Sequence, residues 1–135
     1  MFSKLPTTTV TLLFASASLA SPITTTLKVW PTGTATCGSV DYEVADVRAA
    51  VEAGVENIPS PIGSNDYPHA FNNREALDLE CSSSMLSFPI LSSGSVYSGG
   101  APGADRVVFQ EDGTYCGMIT HTGAGGNSFL LCEND

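Results

Sequence analysis

Apolar side chains recur at Val44, Val47, Val51, Val55 and Ile58, separated by three or four residues, while Asp46, Arg48, Glu52 and Glu56 fill the polar positions between them. This spacing puts one apolar stripe on one face of a helix, so it predicts a single amphipathic helix over 43–58, stopped by Pro59 and Pro61. Beyond it the pattern shortens to runs of four to eight residues between turn clusters. Strands are predicted at 67–71, 87–91, 105–110, 115–122 and 128–131. The run Gly99-Gly100-Ala101-Pro102-Gly103 reads as a tight loop, and Asp112-Gly113 is the strongest hairpin signal. One helix and a succession of short strands imply an α+β architecture, a helix packed on a small antiparallel sheet.

The hairpin carries a geometric consequence. If Asp112 and Gly113 are its two turn residues, Arg106 faces Ile119, and His121 is the diagonal neighbour of Arg106 on the same sheet face, roughly 7 Å away along the backbone. A fixed cation and a titratable imidazole are then brought together. Pro68 biases Tyr67 toward an extended conformation, so Tyr67, His69 and Phe71 are expected on one face of another strand.

The ends of the chain read differently. Residues 1–20 have Lys4 in a short positive region, an apolar run from Val10 to Ala17, and Ser18-Leu19-Ala20 as a cleavage site, the pattern of a signal peptide. That run is too short to span a bilayer, and no later segment is a candidate, so the expectation is a secreted protein with no membrane partner. Residues 21–36 are rich in Thr and Pro and contain the only tryptophan, Trp30. They read as a pro-segment or a loose N-terminal extension. The domain is placed at 37–135, about 100 residues, enough for one small core.

Four cysteines in a small secreted domain imply two disulfides, with three possible connectivities. Zinc is the competing use, but no C-x2-C spacing exists, so no metal and no cofactor is expected. The favoured pairing ties the two ends of the domain through Cys37–Cys132 and joins Cys81 to Cys116. Chain entropy assigns these loops ~4.7 and ~4 kcal/mol.

Charge narrows the partners. The full chain carries a formal charge of −9. Because all fourteen acids lie from Asp41 onward, loss of Lys4 with the signal peptide gives −9 − 1 = −10. Such a surface repels a phosphate backbone, which disfavours broad binding of DNA or RNA by counterion release. Any RNA contact must be local, made to a base and one phosphate.

Three stretches identify the domain. They are Tyr67-Pro68-His69 with Asn72-Asn73, then PILSSGSVYSGGAPGADRVVF (89–109), then ITHTGAGGNSF (119–129). With these, the chain from Cys37-Gly38-Ser39 to Cys132 resembles the small secreted guanyl-specific ribonucleases of filamentous fungi, the ribonuclease T-one type. The resemblance implies a monomer that cleaves single-stranded RNA after guanosine. In that chemistry the ribose 2′-hydroxyl attacks its own 3′-phosphate to leave a 2′,3′-cyclic phosphate. Carried across by motif position, His121 is the general acid, Arg106 stabilises charge, Tyr67 hydrogen-bonds the phosphate, Phe129 packs against the site and His69 assists the base. An imidazole titrating near pH ~6.5 suits either proton-transfer role.

For the guanine, the resemblance implies that Asn72 and Asn73 present backbone groups, Glu75 accepts from the base edge, and Asn127 closes the pocket. Phe71 replaces the usual stacking tyrosine, and Arg74 stands where a second aromatic lid is usual. The main departure is Ser87, at the position where the family carries its catalytic glutamate. A serine hydroxyl is no base near neutral pH, and Asp78 and Glu80 precede Cys81 facing away, which leaves His69 as the stand-in. The expectation is a slowed enzyme.

Plainer readings stand beside these. Arg106 could pair with Asp105 or Glu75, Glu75 could be a solvated loop acid, and Tyr97 reads as packing alone. At the level of the whole protein the alternatives are a non-catalytic secreted effector or binding module on the same fold, and a ribosome-directed toxin. The toxin is disfavoured by the acidic charge and the lack of long basic loops.

Overall fold

The computed structural model describes residues 30–134. The expected signal peptide and the larger part of the 21–36 segment lie outside the described residues. Eight strands and one helix follow in the order β1 (Thr34–Cys37), β2 (Val40–Glu43), α1 (Val44–Glu56), β3 (His69–Ala70), β4 (Met85–Pro89), β5 (Asp105–Gln110), β6 (Tyr115–Thr120), β7 (Leu130–Leu131) and β8 (Glu133–Asn134). They form a three-stranded sheet, β2-β1-β8, and a five-stranded sheet, β3-β4-β5-β6-β7, with every pairing antiparallel. This is the α+β arrangement expected from the sequence. Disulfides join Cys37 to Cys132 and Cys81 to Cys116.

Helix α1 begins where the Glu43 backbone N–H donates to the Asp46 carboxylate at 3.3 Å, satisfying an orphan donor of the first turn. It ends at Asn57, whose side-chain amide donates to the Ala53 carbonyl at 2.8 Å, just before Pro59. Val47, Ala50, Val51, Ala53 and Gly54 are its buried positions. A Cβ on Gly54 would lie 2.4 Å from the Phe109 ring, so only glycine lets the helix backbone seat directly on that aromatic. Phe88, Val107, Phe109 and Met118 are fully buried on this side of the sheet. Each such side chain contributes ~1.5–3 kcal/mol of transfer free energy.

The opposite face of the five-stranded sheet carries a smaller apolar cluster of Met85, Val108, Cys116 and Ile119, partly covered by Phe71, Leu77, Leu79 and Phe129. His69, Ser87 and Arg106 share this face. His69 pairs directly with Ser87, Ser87 with Val108, and Arg106 with Ile119, and directly opposed residues in a ladder project to the same side.

Three expectations need correction. Residues 30–36, assigned to the loose extension, belong to the fold. Thr34–Thr36 are in β1, paired with β2 and β8, and Trp30 stacks on Tyr115 at 4.7 Å and 14°. The strand expected at 67–71 is confined to His69–Ala70, and the one at 128–131 to Leu130–Leu131. The hairpin turn is also longer than two residues. The Gln110 N–H donates to the Thr114 carbonyl and the Gly113 N–H to the Gln110 carbonyl, with Gly113 at φ 91°. A bulge beyond Val108 then restores the expected register, so Arg106 faces Ile119 after all.

Candidate active site

Arg106 is 4% exposed. One terminal nitrogen donates to the carbonyls of Gly103 and Asp105 at 2.9 Å each and to that of Pro102 at 3.4 Å. The other donates to the Tyr67 hydroxyl at 3.0 Å. The loop 99–103, with Gly99, Gly100 and Gly103 at positive φ, turns the Pro102 and Gly103 carbonyls inward, and the third comes from the start of β5. All of these acceptors are neutral. Neither Asp105 nor Glu75 pairs with the guanidinium: the Asp105 carboxylate takes the hydroxyls of Tyr42 and Thr120, and Glu75 accepts the Phe129 backbone N–H at 2.8 Å. A buried cation without a counter-charge is costly, and a bound anion relieves that cost.

From Arg106 the contacts run outward in two directions. Its guanidinium lies 5.1 Å from the Tyr67 ring centre, and Tyr67 stacks on His69 at 4.5 Å and 27°. It also lies 5.9 Å from the Phe129 ring, on which His121 stacks at 3.9 Å and 24°. The structure therefore brings Tyr67, His69, Arg106, His121 and Phe129 into one continuous group. The Tyr67–Pro68 peptide is cis.

Both imidazoles are held in one orientation. Nδ1 of His69 lies 2.9 Å from the Asn65 carbonyl, and Nδ1 of His121 lies 2.8 Å from the Ser128 carbonyl. A carbonyl only accepts, so Nδ1 carries the proton in each ring and Nε2 is the nitrogen left to exchange one. The neutral ring is then a base at Nε2, and the protonated ring is an acid at the same atom. His121 is further fixed by its backbone N–H, which donates to the Ala104 carbonyl at 2.9 Å.

Beside Phe129 opens a cleft of about 530 Å³ lined by Phe71, Asn72, Asn73, Arg74, Glu75 and Asn127, among others. All six residues assigned from sequence to the base thus meet at one place. The Asn73 side chain clasps the Leu77 backbone at both ends, at 2.8 and 2.9 Å. Together with the Ala76 N–H, which donates to the Asn73 carbonyl at 3.0 Å, this fixes the 73–77 loop. Phe71 meets Phe129 edge-on at 5.8 Å. Arg74 is exposed, and its side chain makes no hydrogen bond or ion pair among the described residues. Among the described residues, no cluster of three or more His, Cys, Asp or Glu is arranged to hold a metal ion.

The ribonuclease family model matches residues 30–133. Guanyl-specific ribonuclease T1 of Aspergillus oryzae is 47% identical over 134 residues, covering 98% of each chain. The chain belongs to the ribonuclease family. Extracellular guanyl-specific ribonuclease Fl1 of Gibberella baccata is 48% identical over 101 residues, covering 73% of this chain and 95% of that protein. Among solved structures, the ribonuclease He1 from Hericium erinaceus superposes with a TM-score of 0.54 at 32% identity, covering 75% of this chain and 99% of that one.

Within this ribonuclease fold several contributors escaped the sequence reading. The carbonyls of Asn65 and Ser128, which orient the two imidazoles, are backbone groups and carry no residue-type signal. Tyr97, given no role, is 3% exposed and meets Tyr67 edge-on at 5.8 Å, with its hydroxyl donating to the Gly100 carbonyl at 2.9 Å. It braces both the Tyr67 ring and the loop that holds Arg106.

Proposed function

We propose that this chain is a secreted, guanyl-preferring endoribonuclease that cleaves single-stranded RNA by transphosphorylation, with turnover reduced by Ser87. Nε2 of His69 takes the proton from the ribose 2′-hydroxyl, the 2′-oxygen bonds to phosphorus, and the bond to the 5′-oxygen breaks. Nε2–H of His121 delivers the proton to that leaving oxygen. Arg106 and Tyr67 stabilise the charge gathered on the phosphorane. The 71–75 loop and Asn127 receive the guanine, with Glu75 accepting from its edge and Phe71 or Phe129 offering an aromatic face. The observation that carries this reading is the buried, uncompensated Arg106 between two imidazoles of fixed tautomer.

Reduced turnover follows from Ser87, since loss of a positioned base lowers a rate by ~10²–10⁴. Secretion is supported by the N-terminal sequence, the two disulfides and the extracellular relative.

The test is turnover of a guanylyl dinucleotide by the oxidised protein, beside His121→Ala and Ser87→Glu. Slow turnover that vanishes in His121→Ala and rises ~10²-fold or more in Ser87→Glu is the expected result. A wild-type rate equal to that of Ser87→Glu would overturn the reduced-turnover reading. Ser87 also favours a second reading, a binding protein on this fold; its mark is guanosine monophosphate bound tightly with no turnover.

A further inference from the structure

Ser87 is 3% exposed, yet its hydroxyl has no hydrogen-bond partner among the described residues. It lies one strand inward from the exposed His69, its direct partner across the β3–β4 pair, and between His69 and Val108 in the ladder. It is also diagonal to Arg106, whose direct partner on β4 is Pro89. A buried hydroxyl left unsatisfied destabilises a fold, and alanine at the same place would avoid that cost. The hydroxyl thus stands without a protein partner on the face that carries His69 and Arg106.

His69 shows what is needed there. Its ring is held at Nδ1 by the Asn65 carbonyl and on one face by Tyr67, so its orientation is set before a substrate arrives. The 2′-hydroxyl must be brought to Nε2 by a neighbouring group, and directly opposed residues of an antiparallel pair stand only ~4.5–5.5 Å apart at Cβ. We propose that Ser87 is a positioning residue whose hydroxyl donates to the ribose 2′-oxygen and aims the 2′-proton at Nε2 of His69. Ser87 keeps its own proton throughout: His69 takes the 2′-proton and His121 supplies the one that leaves with the 5′-oxygen. The inference rests on the reading given under Proposed function.

The experiment compares wild type, Ser87→Ala and Ser87→Thr for kcat, KM, the pH profile of kcat and thermal midpoint, with guanylyl dinucleotide as substrate. Ser87→Ala should melt at or above the wild-type temperature, keep KM and the acidic limb of the profile, and lose ~10-fold or more in kcat, the scale of a misplaced reactant. Ser87→Thr, which retains a hydroxyl, should recover most of that loss. Wild-type kcat in Ser87→Ala overturns the role of Ser87 alone. A fall in both kcat and melting temperature in Ser87→Ala, unrelieved by threonine, also overturns it by making the role structural. Absence of turnover in the wild type overturns both this inference and the function on which it rests.

Discussion

Asp105 and Arg106 are consecutive in β5, carry opposite charges, and are 5% and 4% exposed. Alternation sends them to opposite faces of the sheet, and the two faces treat charge in opposite ways. On the helix side, both Asp105 oxygens are met by donors, the Tyr42 hydroxyl at one and the Thr120 hydroxyl at 2.6 Å at the other. Thr120 in turn accepts the Thr122 backbone N–H at 3.0 Å. On the other face, Arg106 has only neutral acceptors, and Ser87 nearby has none for its hydroxyl. A polar group buried and satisfied holds the fold together; one buried and left wanting is a place for a ligand.

The largest effects should separate these two neighbours. Replacing Arg106 with glutamine should lower kcat/KM by ~10³ or more, the scale for losing a preorganised charge stabiliser. Stability should change by no more than ~1 kcal/mol, because relief of an unpaired buried cation offsets the lost bonds to carbonyls. Asp105→Asn should do the reverse. It weakens two hydrogen bonds to a buried carboxylate, at a cost of ~2–3 kcal/mol in denaturant unfolding. Its kcat, measured on folded protein, should stay within about twofold of wild type, since the removed charge faces the helix. If Asp105→Asn lost activity while keeping its stability, the division of labour between the faces would fail.

A second contrast, between the site and the N-terminal edge, shows what the sequence could reveal. Helix α1 was legible because Val44, Val47, Val51 and Val55 repeat at helical spacing and Pro59 stops the run. Strand β5 was legible to the residue at Asp105–Gln110. The Arg106–Ile119 pairing was also obtained, though by two compensating shifts: a three-residue loop at 111–113 and the bulge beyond Val108. The cleft beside Phe129, which we propose receives the guanine, was reached only through resemblance, because its loop residues have no periodicity to read.

Strands β1 and β2 were missed for a physical reason. Their inward positions are Ala35, Cys37 and Tyr42, among which only the tyrosine has much apolar amplitude, and Thr34 and Thr36 resemble linker. The usable signal was Gly38-Ser39, a two-residue turn with Gly38 at φ 61° between alternating arms. What fixes β1 further is β8, from the far end of the chain, a contact that local patterning does not carry. Trp30 tests this corrected boundary. It is sandwiched between Tyr115 and the Arg48 guanidinium, the latter 4.5 Å from its ring. Trp30→Ala should cost ~2 kcal/mol of stability, below the ~3–5 of a fully buried aromatic, and leave kcat unchanged. A variant as stable as wild type would return residues 30–36 to the status of a loose extension.

The smallest effect at neutral pH belongs to Tyr42, and it becomes informative only in alkali. Burial first, then the hydrogen bond to Asp105 and the charges of Asp105 and Asp46, hold its phenol far above its ordinary value of 10.0. The folded protein therefore keeps this proton after the unfolded chain has released it. Above pH ~10 the unfolded state binds fewer protons than the native state, so this contribution to stability falls as pH rises. Tyr42→Phe should cost ~1 kcal/mol at pH 7 for the lost hydrogen bond. Having no phenol to ionise, the variant should then gain on wild type as pH climbs through 10, narrowing the gap and reversing it. The check is a pair of denaturant titrations at intervals from pH 7 to 11. A gap that stayed constant to pH 11 would mean that Tyr42 ionises as readily in the fold as in the open chain. The helix-side carboxylate would then be less well enclosed than its two donors imply, and the contrast with Arg106 would lose its firmer half.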